Sequence, residues 1–174
     1  MFEVEAKVRL TDKDKKRLGK ELPGFAEKTG SAVSKDVYYV NDRNFSMRVR
    51  EKNGKGMINI KSRKKEKGIE INDELEIPVK DTAEFMRFLK KNGMREKARK
   101  EKKGIFYKKG KISIEFNNVK NLGYFLEIEI LVKNESEIAG AKKSLDDIFK
   151  KLGFSKKDYE KKSYLQLLTE SAGK

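Results

Sequence analysis

Glu3, Glu5, Lys7 and Arg9 stand at alternate positions at the start of this chain. In extended backbone successive side chains point to opposite faces. Phe2-Glu3-Val4-Glu5-Ala6-Lys7-Val8-Arg9-Leu10 therefore puts four charges on one face and five apolar groups on the other. Two carboxylates beside an ammonium and a guanidinium are the groups that hold a divalent cation together with the phosphates it bridges. A half-buried strand with a solvated polar face gives the same alternation, and taken alone the segment favours that plainer reading.

Other chemistries are excluded by what the chain lacks. It has no cysteine and no histidine, so thiol nucleophiles, disulfides, serine–histidine catalysis and histidine zinc sites are ruled out. Carboxylates, lysine, tyrosine or a metal ion remain for any reaction. Hard oxygen ligands point to magnesium or manganese. Across 174 residues, 43 Lys+Arg against 28 Asp+Glu give a net charge of +15, an excess that attracts polyanions. Glu is interleaved with Lys throughout, unlike the segregated charge of a simple nucleic-acid binder. Charges begin at residue 3 and no long apolar run follows. A cytoplasmic protein of one domain, residues 1–174, with no membrane contact, is the expectation.

These groups need elements to position them. Thr11 caps a helix expected to run to Leu22 and to end at Pro23-Gly24. An extended segment closes on Asp36-Val37-Tyr38-Tyr39. Ser46–Arg50 and Met57–Arg63 alternate strictly around Asn53-Gly54-Lys55-Gly56, a hairpin signal, with Arg48, Arg50, Asn59, Lys61 and Arg63 on their polar faces. Ile69–Ile77 repeats the pattern with acids. Asp81 to Asn92 reads as an amphipathic helix with Phe85, Phe88 and Leu89 in the core, closed by Gly93. Lys111–Asn117 and Phe125–Ile130 read as strands, Ser136 to Leu152 as a helix, and Lys156 to Leu168 as a helix packed on the outside. Strands followed by a helix occur twice, which leaves an internal duplication open. The basic runs Arg63–Lys67 and Arg95–Lys103 read as solvated loops and strand ends.

Several strands thus present one apolar face and one face charged in both signs. An open antiparallel sheet with a wet face does this. So does a closed barrel with charges in its lumen and helices over its apolar exterior, in which surplus base draws in a polyanion and the carboxylates hold its counter-metal. The charge census favours the barrel.

Glu3-x-Glu5-x-Lys7 near the N-terminus resembles the hallmark of the CYTH superfamily, the triphosphate tunnel metalloenzymes. Asp36-Val37-Tyr38-Tyr39, Arg48-Val49-Arg50, Lys61 and Glu74-Leu75-Glu76 follow in the family's order. Leu122-Gly123-Tyr124-Phe125-Leu126-Glu127-Ile128-Glu129 and Ser163-Tyr164-Leu165-Gln166-Leu167-Leu168 resemble its closing segments. The resemblance covers nearly the whole chain. It implies an α+β fold, a closed eight-stranded antiparallel barrel with a polar lumen and helices outside, which binds a triphosphate-containing small molecule with Mg2+ or Mn2+. By the same resemblance, Glu3 and Glu5 on one wall and Glu127 and Glu129 on the opposite wall ligate metal. Lys7, Arg48, Arg50, Lys61 and Lys102 hold phosphate, and Glu3, Glu5 and Lys7 serve catalysis.

Three positions depart from the family's pattern: Asn72 stands where an arginine is usual, Gly104 where an arginine is usual, and Asn117 where an aspartate is usual. The implied activity is metal-dependent hydrolysis of inorganic, nucleoside or thiamine triphosphate. The alternatives are a class IV adenylyl cyclase, making cyclic AMP and pyrophosphate from ATP, and a non-catalytic module that binds polyphosphate or RNA through the basic excess. A monomer or homodimer is expected.

Overall fold

The computed structural model describes residues 1–43 and 45–172, with the backbone alone for Arg63 and Lys65. The strands are β1 (Phe2–Arg9), β2 (Glu27–Val40), β3 (Ser46–Lys52), β4 (Lys55–Glu66), β5 (Ile69–Val79), β6 (Arg95–Lys109), β7 (Ile112–Val119) and β8 (Gly123–Val132). The helices are α1 (Asp12–Phe25), α2 (Thr82–Lys91), α3 (Ile138–Lys151) and α4 (Tyr164–Ala172). The strands close into one antiparallel barrel in the order β1-β5-β4-β3-β2-β6-β7-β8. Five strands precede α2 and three follow it, so the halves are not copies of each other.

Local sequence accounts for most boundaries. Asn53 and Gly54 both take positive φ, 51° and 73°, as the two-residue turn between β3 and β4 requires. Thr11 Oγ1 accepts from the Asp14 amide at 3.2 Å, and Asp14 Oδ2 accepts from the Thr11 amide at 3.1 Å, a reciprocal cap that starts α1. Helix α1 does not stop at Pro23-Gly24: it runs to Phe25 and ends with the Ala26 amide on the Leu22 carbonyl at 3.0 Å. Proline keeps a helical φ and forfeits a single hydrogen bond, which a last turn tolerates.

The apolar exterior is covered by helices. Val4, Ala6 and Val8 of β1 and Leu126, Ile128 and Ile130 of β8 pack with Leu18 and Leu22 of α1 and with Leu145 and Phe149 of α3. Helix α2 lays Leu89 on Val37, Tyr39 and Val49. Phe88, expected in that core, is 57% exposed, because it precedes Leu89 by one residue and so lies about 100° away around the helix, toward solvent. Among the described residues no helix is long and apolar enough to cross a membrane.

Three further expectations change. The basic run Arg95–Lys103 is not a loop or strand end but most of β6, a strand of 15 residues. The run Arg63–Lys67 lies largely in β4, which extends to Glu66; the Arg63 side chain falls outside the described residues. The C-terminal segment is a 3-10 turn at Lys156–Asp158 followed by the shorter helix α4. Helix α4 does not lie on the outer wall. Tyr164, Leu167 and Leu168 pack with Val119, Leu122, Phe125, Tyr38 and Ala98. Register places Val119 beside Lys102, Phe125 beside Asn117 and Tyr38 beside Ala98, on the inward face. Helix α4 is therefore an apolar stopper set into one end of the barrel.

Candidate functional site

The strand alternation that buries the outer face sends the other residues inward, where they line a cavity of about 330 Å³. β1 supplies Glu3, Glu5 and Lys7; β8 supplies Glu127 and Glu129; β3 supplies Arg48 and Arg50; β4 supplies Asn59 and Lys61; β6 supplies Lys100 and Lys102. Every site residue expected from the sequence lines this one cavity. The carboxylates do not face each other across the lumen, however. β1 and β8 are hydrogen-bonded neighbours, with Glu5 beside Glu129 and Lys7 beside Glu127. Arg9, on the same face of β1, leaves the lumen: its Nη1 donates to the Leu122 carbonyl at 2.9 Å, and it lies over the Phe125 ring.

Sequence reasoning missed several residues here. Glu115 sits two residues before Asn117 on β7, so the period of two would have found it, whereas Lys100 sits two before Lys102 on β6, a strand that alternation did not reveal. Glu70, Glu74 and Glu76 of β5 line the cavity as well. Tyr38 also lines it, whereas its neighbour Tyr39 is buried in the outer core, as alternation demands.

The bases are tied to particular acids. Asp36 accepts a two-pronged pair from Arg50, Nε at 2.9 Å and Nη2 at 3.1 Å, and Lys100 Nζ lies 2.8 Å away. Burial alone pushes the Asp36 carboxyl up, but Lys100, Arg50 and Arg48 outweigh it and hold it well below the usual range. Lys61 Nζ bridges Glu74 at 2.6 Å and Glu3 at 2.9 Å. Lys102 Nζ bridges Glu115 at 2.5 Å and Glu127 at 3.4 Å. Tyr164 reaches in from α4, its hydroxyl donating to Glu127 at 2.9 Å and its ring lying under Lys7 and Lys100. Burial raises Glu127, but Lys102, Lys100 and Lys7 bring it down to about 2.

Glu129 behaves in the opposite way. Burial, with Glu3, Glu5 and Glu115 nearby, pushes it up to about 8. Glu3 is raised to about 7, chiefly by burial and against the pull of Lys61. Among the described residues, eight acids and six bases line the cavity, so the surplus of base expected there is not seen among them.

Glu3, Glu5 and Glu129 bring hard oxygens to neighbouring positions on β1 and β8, a donor set that suits a divalent cation. As the side chains stand, no three acids among the described residues gather closely enough to hold one. Glu127 is instead engaged by Lys102, Asn117 and Tyr164.

A closed antiparallel barrel whose lumen alternates acids with bases defines a class of protein built to hold an anion and a cation together. The chain belongs to the CYTH domain family, within the triphosphate tunnel metalloenzymes; the family model matches residues 1–164. It is 31% identical over 178 residues to "Putative adenylate cyclase MJ0240" of Methanocaldococcus jannaschii, covering 96% of this chain and 98% of that one. The PH1012 protein of Pyrococcus horikoshii OT3 superposes with a TM-score of 0.83 at 30% identity, over 95% of this chain and 99% of that one. A Hippeastrum protein described as "Putative adenylyl cyclase HpAC1", with a dominant triphosphatase activity, shares the fold at a TM-score of 0.67 and 15% identity. That match covers 98% of this chain and 96% of the other.

Proposed function

We propose that the chain, acting as a single domain over its 174 residues, is a metal-dependent triphosphatase whose lumen binds a triphosphate compound. The observation that carries this is the split within one cavity: Glu5 and Glu129 stand side by side, with Glu129 raised by burial and by the neighbouring carboxylates, while Glu127 is lowered among lysines. The first region suits Mg2+ or Mn2+, held by Glu3, Glu5 and Glu129, with Glu127 two residues before Glu129 on the same face of β8. The second suits phosphate. Lys7, Arg48, Arg50, Lys61, Lys100 and Lys102 would bind phosphate oxygens, the arginines as forks and the lysines as point charges. Bound there, the cation supplies charge neutralisation and Lewis acidity. The residues supply orientation and a preset field, which is most of what phosphoryl transfer asks of a protein. The triphosphatase activity ascribed to the Hippeastrum protein agrees with this reading.

The second reading is cyclisation of ATP, favoured by the name of the Methanocaldococcus relative. One experiment separates the two. Purified protein is incubated with Mg2+ or Mn2+ and inorganic triphosphate, ATP or thiamine triphosphate, and the products are resolved. Orthophosphate supports hydrolysis, whereas cyclic AMP with pyrophosphate supports cyclisation. Metal-independent binding without turnover would sink both.

A further inference from the structure

Neutral side chains hold five of the eight acids that line the lumen. Asn59 Nδ2 donates to Glu74 at 2.8 Å and to Glu76; Asn72 Nδ2 donates to Glu5 at 2.9 Å; Asn117 Nδ2 donates to Glu115 at 3.1 Å and to Glu127. The three lie on β4, β5 and β7 and are 2%, 0% and 0% exposed. An amide offers hydrogens to a carboxylate as a lysine or arginine does, but brings no charge. Each of these five acids is thus held by a group that leaves its charge in place. Asn72 and Asn117 hold this orientation although the Oδ1 of each is buried with no hydrogen-bond partner, a cost that proteins otherwise avoid. Their carboxylate contacts therefore dictate how they point.

Asn117 has a second fixed relationship. It is the cross-strand partner of Gly104 on β6. A Cβ at position 104 would collide with Asn117 Oδ1 and come within 3.2 Å of the Phe106 ring. With both Nδ2 hydrogens committed to Glu115 and Glu127, Oδ1 must point into β6, and glycine alone leaves it room. The departures at 104 and 117 are thus one arrangement rather than two losses.

We propose that Asn59, Asn72 and Asn117 are positioning residues that aim the lumen carboxylates without neutralising them, and that Gly104 is the space Asn117 requires. The proposal rests on reading the lumen as a site for a cation and a triphosphate.

The full chain is prepared as wild type, Asn117→Asp, Asn117→Ala, Gly104→Ala, the Gly104→Ala/Asn117→Ala double variant, and Asn72→Asp. Binding of inorganic triphosphate in the presence of Mn2+ is measured by calorimetry, with thermal melts to establish folding. Aspartate has the shape of asparagine but no hydrogens to give, and it adds a charge; Asn117→Ala adds none, so it too must weaken binding if the lost hydrogens matter. Positioning predicts weakening by about 10–100-fold for Asn117→Asp. Asn72→Asp, which has no glycine partner to disturb, gives the same direction. Gly104→Ala weakens binding on its own and adds less than about twofold once Asn117 is alanine, since the colliding atom is gone. Wild-type affinity in both aspartate variants, or a Gly104→Ala penalty equally large in both backgrounds, overturns the proposal. Wild type that binds Mn2+ and triphosphate without turnover refutes hydrolysis but leaves positioning standing; wild type that binds neither refutes both.

Discussion

Glu5 of β1 stands directly beside Glu129 of β8, carboxylate next to carboxylate across two hydrogen-bonded strands. Like charges so placed are destabilising. A carboxyl raised in the folded state stabilises most below its unfolded pKa and loses that contribution as pH rises through the folded value; for Glu129 that value is about 8. We predict that Glu129→Gln raises the Tm of the metal-free protein near about pH 9 and changes it little near about pH 5. The same variant should lack the Tm increase that Mn2+ gives wild type. Thermal melts with and without Mn2+ check both, and an undiminished Mn2+ response would remove Glu129 from the cation set.

Asp36 carries the opposite linkage. Its carboxyl is buried, yet Lys100, Arg50 and Arg48 hold it well below the usual range, so its contribution is present above the ordinary aspartate value of about 3.9 and is lost as pH falls below that. Asp36→Asn takes the carboxylate from Arg50 and Lys100, while Arg48 keeps Glu74 at 3.2 Å, and should cost about 3–5 kcal/mol. Urea titrations should show the gap between wild type and variant closing in acid. A constant gap would show that the charge does not matter.

Tyr164 ties α4 to the lumen through Glu127. Tyr164→Phe keeps the ring between Lys7 and Lys100 but removes the donor, at about 1–3 kcal/mol. Tyr164→Ala also empties the space against Phe125, where the rings meet edge to face at 5.2 Å, and should cost about 3–5 kcal/mol. Equal losses in chemical denaturation would mean that the ring contributes nothing beyond the hydroxyl.

Lys61 bridges Glu3 and Glu74. Replacing it with methionine of similar length removes a proposed phosphate partner and leaves both acids without their shared cation. KM for the triphosphate substrate should rise at least about tenfold, equivalent to about 1.4 kcal/mol. Steady-state kinetics with saturating Mn2+ tests this, and an unchanged KM would place the substrate elsewhere in the lumen.

Where only one face of a strand is apolar, the sequence was legible. β1, β3, β4 and β5 could be read by alternation, and Glu3, Glu5, Lys7, Arg48, Arg50, Lys61, Glu70, Glu74 and Glu76 on their polar faces reach the cavity, whereas Arg9 turns away from it. β6 was opaque because it is polar on both faces: Lys100 and Lys102 turn inward while Lys97, Arg99 and Lys103 meet solvent, so no period showed. The neighbour relation of β1 and β8 could not be read either, since strand order in a closed barrel depends on pairings far apart in sequence. Asn72, Gly104 and Asn117 looked like losses because the sequence shows each alone. The contact between Gly104 and Asn117 exists only after β6 pairs with β7.

Closure of the barrel bears on how the chain folds. β1 is made first, yet its neighbours are β5 and β8, and Glu5 meets Glu129 more than a hundred residues downstream. Such a pairing carries a large loop-closure cost and is expected to come late. Glu3, Glu5 and Lys7 are therefore expected to join the lumen late, and a chain lacking β8 would lack Glu129, one of the proposed cation ligands. On the proposed reading, binding would report that synthesis and closure are finished.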